Sequence, residues 1–320
     1  MAYFHFTIEN KNSIRLDKFL AQELPQFSRS FLAKCVLLVN SKKAKPAQKV
    51  SAGDLVELKV PPLKDLKIEP EKIPLKIIFE DSEVLVIDKP SGMVVHPTDH
   101  GGHVSGTLVN AVLFYLGESP RSAKLRDAKK PLLRTPLYER GAFRWGIVHR
   151  LDRETSGCLV VAKTESAKTF LAKEFSERRV EKFYLALLAG RLKTPKGRID
   201  SPLGRSASDR TRRTISTAAD AREAITEFEV LESFAEATLV RVKILTGRTH
   251  QIRVHFQALG HPVVGDTTYS SKKVQEKLAA PRMFLHAAEL KFHHPKTKKL
   301  VAVEAPLPEE LKKYLSTLKR

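Results

Sequence analysis

The sequence predicts an α+β protein with a mainly antiparallel sheet, preceded by a small separate unit. Strand-like segments occur in adjacent pairs with helices interspersed, which favours antiparallel pairing. A segment of prolines and charged residues at 61–74 follows the first 60 residues, and a chain of 320 residues is long enough for two domains. The expected organisation is therefore a first domain at 1–60, a linker at 61–74 and a second domain at 75–320.

The first 60 residues have the pattern of two helices and a strand. Apolar residues recur at a helical period over 14–24, Pro25 ends that helix, and Ser28 can cap a second one. Residues 55–60 alternate like a strand. The motifs of this unit are Arg15-Leu16-Asp17-Lys18-Phe19-Leu20, Ser28-Arg29-Ser30, Val39-Asn40 and Ala52-Gly53-Asp54. Their order resembles the alpha-L RNA-binding module of ribosomal small-subunit protein four, although the stretch between Ser30 and Val39 is a few residues shorter here.

The second domain is predicted to begin with a hairpin, in which strands at 76–79 and 84–87 flank a polar turn. Helices are expected near 105–117, 164–177, 250–259 and 307–318, and further strands near 182–189, 223–233, 237–245, 284–291 and 299–304. Residues 121–140 carry seven cations and two acidic residues with few apolar ones, which indicates a basic insertion without a core of its own. This insertion is either a solvated loop or an arm that grips RNA phosphates.

The composition favours a polyanionic partner. The net charge is +20 and the pI is about 9.9, and such an excess attracts phosphates. No apolar stretch is long enough to span a bilayer and no signal peptide is evident, so we expect a cytoplasmic protein without a membrane partner. Cys35 and Cys158 lie far apart in apolar segments, which is typical of unpaired cysteines in a protein of a reducing compartment. His250 and His255 are five residues apart and share no face, so no metal site is predicted.

The most informative segment is His149-Arg150-Leu151-Asp152-Arg153-Glu154-Thr155-Ser156-Gly157. It places one short carboxylate, Asp152, between two arginines. An apolar run at 146–148 precedes it and another at 158–162 follows, so the pattern predicts strand, loop, strand. Reactive groups are often carried on loops that a rigid sheet positions, which makes Asp152 the leading candidate for a catalytic group.

Three further motifs accompany this segment in a fixed order. They are Asp88-Lys89-Pro90-Ser91-Gly92, then Val180-Glu181-Lys182-Phe183-Tyr184-Leu185-Ala186, and then the stretch from Thr246 through His255 to Asp266. Together they resemble the RluA family of pseudouridine synthases over about residues 75–305. The resemblance implies a catalytic domain with a long mixed sheet and a central cleft, and an enzyme that isomerises uridine in RNA.

The resemblance implies a reaction in which the bond from uracil N1 to the ribose breaks and the base rejoins through C5. No net oxidation occurs, so no cofactor is expected. A carboxylate can act as nucleophile, and a nearby guanidinium would keep it ionised in a dry pocket. Attack of Asp152 on the sugar, attack on C6 of uracil and a glycal route all remain open, and all three need the carboxylate.

The family implies that Asp152 pairs with an arginine of the last motif. Arg253 is the first choice, and Arg248 is the second and suits an RNA phosphate better. Tyr184 is either a core aromatic residue or, as the family implies, the ring that stacks on the target base. The predicted catalytic set is therefore Asp152, Tyr184 and Arg253.

Other basic residues are candidate RNA contacts, and each can equally be an ordinary surface or structural residue. They are His149, Arg150, Arg153, Arg248, Lys89, Arg210 and Arg212. His149 can contact RNA or insert where the flipped base was, or it can be a satisfied structural histidine. The expected substrate is large-subunit (23S-type) ribosomal RNA, with transfer RNA as the alternative, and the expected state is a monomer. A non-catalytic RNA-binding or assembly factor with the same fold is the alternative from another class.

Overall fold

The computed structural model describes residues 2–9, 12–24, 32–33, 35–60, 68–97, 105–118, 146–206, 208–209 and 211–319. The predicted helix start at Ser28, the linker at 61–67, the basic insertion at 121–140 and Arg210 lie outside these residues. The described chain divides into two compact units, one up to residue 60 and one from residue 68 onwards.

In its described residues, the first unit is a small sheet with one helix. Its elements are β1 (Ala2–Thr7), β2 (Ile14–Arg15), α1 (Leu16–Glu23), β3 (Val36–Val39), β4 (Lys42–Lys43), β5 (Lys49–Val50) and β6 (Leu55–Val60). The sheet order is β1-β6-β3-β4, and β2 pairs with β5. Alternate residues of β6 are buried, and α1 buries Leu16, Phe19 and Leu20 in the same core. The assignment of this unit as an alpha-L module stays a prediction.

The second unit is built on a long mixed sheet. Its strands are β7 (Lys76–Glu80), β8 (Val84–Lys89), β9 (Ser156–Ala162), β10 (Glu181–Ala189), β11 (Lys196–Asp200), β12 (Leu203–Arg205), β13 (Arg213–Ile215), β14 (Ile225–Ser233), β15 (Ala237–Ile244), β16 (Leu285–His293) and β17 (Leu300–Glu304). Its helices are α2 (Leu108–Glu118), α3 (Glu165–Ser176), α4 (Gln251–Ala258), α5 (Lys272–Leu278) and α6 (Glu309–Thr317).

The main sheet follows the order β11-β14-β15-β10-β16-β9-β8-β7, with β17 on β16. The pairing of β16 with β9 is parallel, and the other pairs are antiparallel. In this topology only β16 lies between β9 and β10. Strand β9 follows the Asp152 loop, and β10 carries Tyr184. The predicted α+β class with a long, mainly antiparallel sheet is confirmed.

One prediction about local structure is wrong, and one helix was not predicted. Residues 146–148 form only an isolated bridge, between Ile147 and Val161, rather than a strand. Gly146 has φ +75°, and a Cβ there would come 2.0 Å from the Ala162 carbonyl oxygen, so the chain turns sharply against β9. Helix α5 was not predicted, because its sequence has only two apolar residues among the seven residues that form it.

The described part of the predicted linker, 68–74, packs on the second unit instead of running free. Asn110 of α2 donates through Nδ2 to the Glu69 carbonyl oxygen at 2.8 Å. The backbone carbonyl of Asn110 accepts from Glu71 N at 3.0 Å. Ile68 packs against the main core of this unit. Within the described residues, no helix has the length and apolar character needed to cross a membrane.

Candidate active site

The Asp152 loop is held in place by the turn that follows β8. The Lys89 ammonium donates to the carbonyl oxygens of Pro90, Met93 and Arg153 at 2.7, 3.0 and 3.1 Å. The Arg153 carbonyl also accepts from Gly92 N at 2.8 Å. These contacts reach Arg153, the residue directly after Asp152. The motif at 88–92 therefore supports the segment that carries Asp152.

The prediction that Lys89 contacts RNA is wrong. Its relative exposure is 0%, and its three donor directions are taken by backbone carbonyls. Burial lowers the pKa of Lys89 to about 7, against the opposing charges of Glu154 and Asp152. The side chain is therefore an internal support for the loop.

The Asp152 carboxylate contacts the buried guanidinium of Arg253. Arg253 Nη1 donates to Asp152 Oδ2 at 3.3 Å. The same guanidinium forms a two-bond fork with Asp266, from Nε to Oδ2 at 2.6 Å and from Nη2 to Oδ1 at 2.9 Å. Because Asp266 holds two of its nitrogens, Arg253 presents the third to Asp152 in a fixed direction.

The charge of Arg253 is maintained in spite of its burial. Burial alone would lower the pKa of the guanidinium, but the hydrogen bonds and charges of Asp266 and Asp152 outweigh it and raise the pKa above the ordinary value. Asp266 is itself almost fully buried and accepts further from Thr268 N at 2.9 Å and Tyr269 N at 3.1 Å. Sequence reasoning quoted Asp266 within the last motif and assigned it no role.

The loop before α4 is locked by Gln251. Its Oε1 accepts from Thr246 Oγ1 at 2.7 Å and from Arg248 N at 3.0 Å. Its Nε2 donates to the Ile225 carbonyl at 2.9 Å and to Thr226 Oγ1 at 3.0 Å. All hydrogen-bonding directions of this buried amide are used, which fixes the start of α4 and the position of Arg253.

His250 also approaches Asp152, with Nε2 lying 3.9 Å from Oδ2. Tyr269 Oη accepts from Arg213 N at 2.8 Å and lies within hydrogen-bond distance of His250 Nδ1, at 2.9 Å. These contacts orient the His250 ring so that Nε2 faces Asp152. Burial lowers the pKa of His250 in spite of the Asp152 charge. Sequence reasoning considered His250 only as a metal ligand.

Tyr184 lies in the core next to Asp152 and Arg253. It is 7% exposed and belongs to the same apolar cluster as Leu151 and Ile252, the neighbours of Asp152 and Arg253 in the chain. Burial and then the Asp152 charge raise the pKa of its phenol far above the ordinary value, so the ring is neutral. The structure therefore brings together the three residues predicted as the catalytic set.

The other predicted RNA contacts differ in accessibility. Arg150 is exposed, and Arg153 donates from Nε to the Gly92 carbonyl at 3.2 Å. Arg248 is partly buried, with Nε donating to the Glu223 carbonyl at 2.8 Å. The guanidinium of Arg212 bonds the Thr268 carbonyl and lies over the Tyr269 ring.

His149 has internal contacts that favour the structural alternative. Its Nε2 accepts from Val160 N at 3.0 Å, and its ring stacks on Phe175 with 4.6 Å between centroids. Burial and then the charge of Lys182 lower the pKa of His149 to about 3, so the ring is neutral.

The arrangement combines one accessible carboxylate, one fixed guanidinium and one neutral aromatic ring. The Asp152 side chain is 18% exposed, whereas that of Arg253 is 6% exposed. Among the described residues, no three His, Cys, Asp or Glu side chains are grouped to hold a metal ion. Such a set can place a negative oxygen beside an uncharged planar ligand.

Comparison with known proteins assigns the chain to a family. The model of the RNA pseudouridylate synthase family matches residues 83–258, a stretch that includes Asp152, Tyr184 and Arg253. The chain is 41% identical to an uncharacterized RNA pseudouridine synthase of Aquifex aeolicus, over 98% of this chain and 96% of the relative. It is 38% identical to ribosomal large subunit pseudouridine synthase D of Nitrosomonas europaea, over 97% of this chain and 86% of the relative.

A solved structure agrees with the relatives. Human RNA pseudouridylate synthase domain containing 1 superposes with a TM-score of 0.56 and 30% identity, covering 74% of this chain and 85% of that one. The chain therefore belongs to the RNA pseudouridylate synthase family, whose members are isomerases, and within it to the RluA type.

Proposed function

We propose that the chain converts uridine to pseudouridine in large-subunit ribosomal RNA, with Asp152 as the catalytic carboxylate. The observation that carries this proposal is the asymmetry of the Asp152 carboxylate. Its Oδ2 is bound by Arg253 Nη1 at 3.3 Å. Its Oδ1 has no hydrogen-bond partner among the described residues, and the side chain is partly exposed. One oxygen is thus held while the other can face a ligand.

The reaction balances within the substrate. The bond between N1 of uracil and C1′ of the ribose breaks, a bond between C5 and C1′ forms, and a proton moves from C5 to the solvent while N1 gains one. No electrons leave the RNA, so the site needs a carboxylate and a means of holding the detached base. Asp152 serves the first need on any of the three routes that the sequence leaves open.

Arg253 and Tyr184 fill supporting roles. Arg253 orients the carboxylate and faces it with a positive charge, because Asp266 fixes the guanidinium in a buried position. Tyr184 carries a raised pKa, so its neutral phenol is better suited to stacking on the uracil than to accepting the C5 proton. Stacking retains a base whose glycosidic bond has been cut.

Two observations favour ribosomal RNA as the substrate. Relatives that match nearly the whole chain carry the name ribosomal large subunit pseudouridine synthase D. The net charge of +20 suits a large structured polyanion. We further propose that the first unit is an alpha-L RNA-binding module that helps to find this RNA.

Tritium release from RNA labelled at C5 of uridine tests the proposal. Wild type, Asp152→Asn and the exposed control Asp220→Asn are incubated with unmodified large-subunit ribosomal RNA and, separately, with transfer RNA. We expect release from the ribosomal RNA by wild type and Asp220→Asn, and no release by Asp152→Asn, which keeps the shape of the side chain and loses its charge.

Each contrary outcome has a distinct meaning. Turnover by Asp152→Asn contradicts the role of the carboxylate. Release from transfer RNA alone contradicts the ribosomal substrate. Tight binding of both RNAs with no release by wild type contradicts the substrate assignment and favours an RNA-binding or assembly factor.

A further inference from the structure

Lys182 is a buried lysine without an anionic partner. It is 8% exposed, and its ammonium has no hydrogen bond or ion pair with any residue that the structure describes. Its nearest aromatic contact is the Phe175 ring, with Nζ 6.0 Å from the centroid. The ammonium is not one of the solvent-inaccessible side-chain atoms that lack a partner in the described chain, so part of its surface faces solvent.

The surroundings of Lys182 are cationic. Burial, followed by the charges of Arg178 and Arg248, lowers the pKa of Lys182 to about 8. Burial, followed by the charges of Arg222 and Arg178, also disfavours the charged form of Arg248 and lowers its pKa. Four cations therefore act on one another within a small region.

One carboxylate of the described residues faces this group, and it is already engaged. The Glu223 side chain accepts from the guanidinium of Arg178, and its backbone carbonyl accepts from Arg248 Nε at 2.8 Å. Arg178 and then Arg248 are among the charges that lower the pKa of Glu223. A single carboxylate leaves most of the positive charge of Arg178, Lys182, Arg222 and Arg248 without compensation.

The cluster lies beside the candidate active site. Lys182 and Tyr184 are two residues apart on β10, and burial alternates along this strand from residue 181 to residue 186, with both residues at buried positions, so both side chains lie on the same face of the strand. Arg248 stands two residues before His250, which approaches Asp152. Phe175, under Lys182, stacks on His149 of the Asp152 segment.

Such an arrangement is unfavourable unless an anion completes it. A buried ammonium costs free energy when it is unpaired, and neighbouring guanidinium groups add repulsion. A lysine kept for the fold alone would have acceptors around it, as other buried lysines of this chain do. The uncompensated charge, the accessible ammonium and the position beside Asp152 all indicate a ligand that carries negative charge and enters next to the target base.

We propose that Lys182, Arg178, Arg222 and Arg248 form a binding site for one phosphodiester group of the RNA strand that carries the target uridine. This inference rests on the proposed function, since it takes RNA as the ligand. Guanidinium forks match the two free oxygens of a phosphodiester, and the ammonium supplies a compact charge behind them. The site would hold the backbone of the flipped nucleotide while its base lies against Tyr184.

The salt dependence of RNA binding tests the proposal. Lys182→Met removes the charge and keeps an apolar side chain of similar length. Lys243→Met is the matched control, because Lys243 lies opposite Phe183 on the other face of the same sheet. Lys182→Arg retains the charge. Binding of unmodified large-subunit ribosomal RNA to the full chain is measured by fluorescence anisotropy from low to high KCl.

Loss of one phosphate contact reduces the slope of log K against log salt by about 1. We expect this change for Lys182→Met, no change for Lys243→Met and recovery for Lys182→Arg. Thermal melting of Lys182→Met should be equal to or above that of wild type, because an unpaired buried charge has been removed. A purely structural lysine would instead give a lower melting temperature and an unchanged slope.

The outcomes separate this proposal from the proposed function. An unchanged slope for Lys182→Met, together with wild-type tritium release and an unchanged KM, overturns the phosphate site and leaves the enzyme assignment standing. A reduced slope in Lys182→Met, with no tritium release by wild type, supports the phosphate site and contradicts the substrate assignment. A slope change of the same size in Lys243→Met also overturns the proposal, since the effect is then one of net charge.

Discussion

Lys89 and Lys182 are both buried lysines of the second unit, and they differ in what surrounds their charge. Lys89 donates to three backbone carbonyls and supports the loop that carries Asp152. Lys182 has no acceptor among the described residues and stands beside two arginines that disfavour its charge. Burial lowers the pKa of both lysines, so the difference lies in their acceptors. Removal of Lys89 leaves three backbone carbonyls without their donor, whereas removal of Lys182 leaves no acceptor in the described chain unpaired, which is typical of a binding site.

The largest expected effect is the loss of Lys89. In Lys89→Met the carbonyls of Pro90, Met93 and Arg153 lose a charged donor inside the protein, which should lower the free energy of unfolding by about 3–5 kcal/mol. Urea denaturation measures this, with the exposed Lys193→Met as the control, expected to be within about 0.5 kcal/mol of wild type. Turnover should also fall, because the Asp152 loop loses its support.

The same variant distinguishes the two lysines in RNA binding. Lys89→Met should bind RNA with the salt slope of wild type, because its ammonium does not reach the surface. A folded Lys89→Met protein with a reduced slope would show that the two lysines are more alike than their contacts indicate.

The next effect is a pH dependence of stability that belongs to Lys182. In the unfolded chain this lysine titrates near 10.5, and in the folded chain the pKa is about 8. Between these values the unfolded state holds more protons, so the free energy of unfolding rises with pH across that window. At about 1.36 kcal/mol for each unit of pKa difference, the rise is ~3 kcal/mol at most.

Denaturation of wild type and Lys182→Met at pH 7.5 and at pH 10 measures this contribution. The difference between the two proteins isolates Lys182, since Lys89 also titrates in this range and is present in both. We expect Lys182→Met to be the more stable protein at pH 7.5 and the advantage to shrink at pH 10. An advantage that is absent at both values would mean that Lys182 has a partner in solution.

The smallest expected effect concerns His149, which belongs to the Asp152 segment and stacks on Phe175, the aromatic contact of Lys182. In His149→Phe the stacking on Phe175 is retained and the acceptor for Val160 N is lost. The free energy of unfolding should fall by about 1–2 kcal/mol, while the salt slope of RNA binding stays that of wild type. A reduced slope with unchanged stability would restore the predicted RNA contact of this residue.

The sequence was informative wherever the signal is local. Helical periodicity located α2, α3, α4 and α6, and alternation located the β7–β8 hairpin and the strands from β14 to β17. It missed β1, the strands from β11 to β13 and α5, and it extended the bridge at Ile147 into a strand. Those segments take their structure from neighbours distant in the chain, such as the pairing of β1 with β6, rather than from their own pattern.

The candidate site divides in the same way. The motifs predicted Asp152, Tyr184 and Arg253 as a set, and the structure brings these three side chains together. The fork between Arg253 and Asp266, the burial of Lys89 and the missing partner of Lys182 were not predictable. Each depends on which groups meet across long stretches of chain, and residue type alone does not say whether a buried charge finds an acceptor.

By itself, then, the sequence determined the fold class, the family resemblance and the identity of the candidate carboxylate, because periodicity and ordered motifs are written in local residue types. Only the tertiary structure decided which cations support the fold and which remain available to a ligand. The cost of a buried charge depends on the donors and acceptors within a few ångströms, and those are set when distant segments pack together.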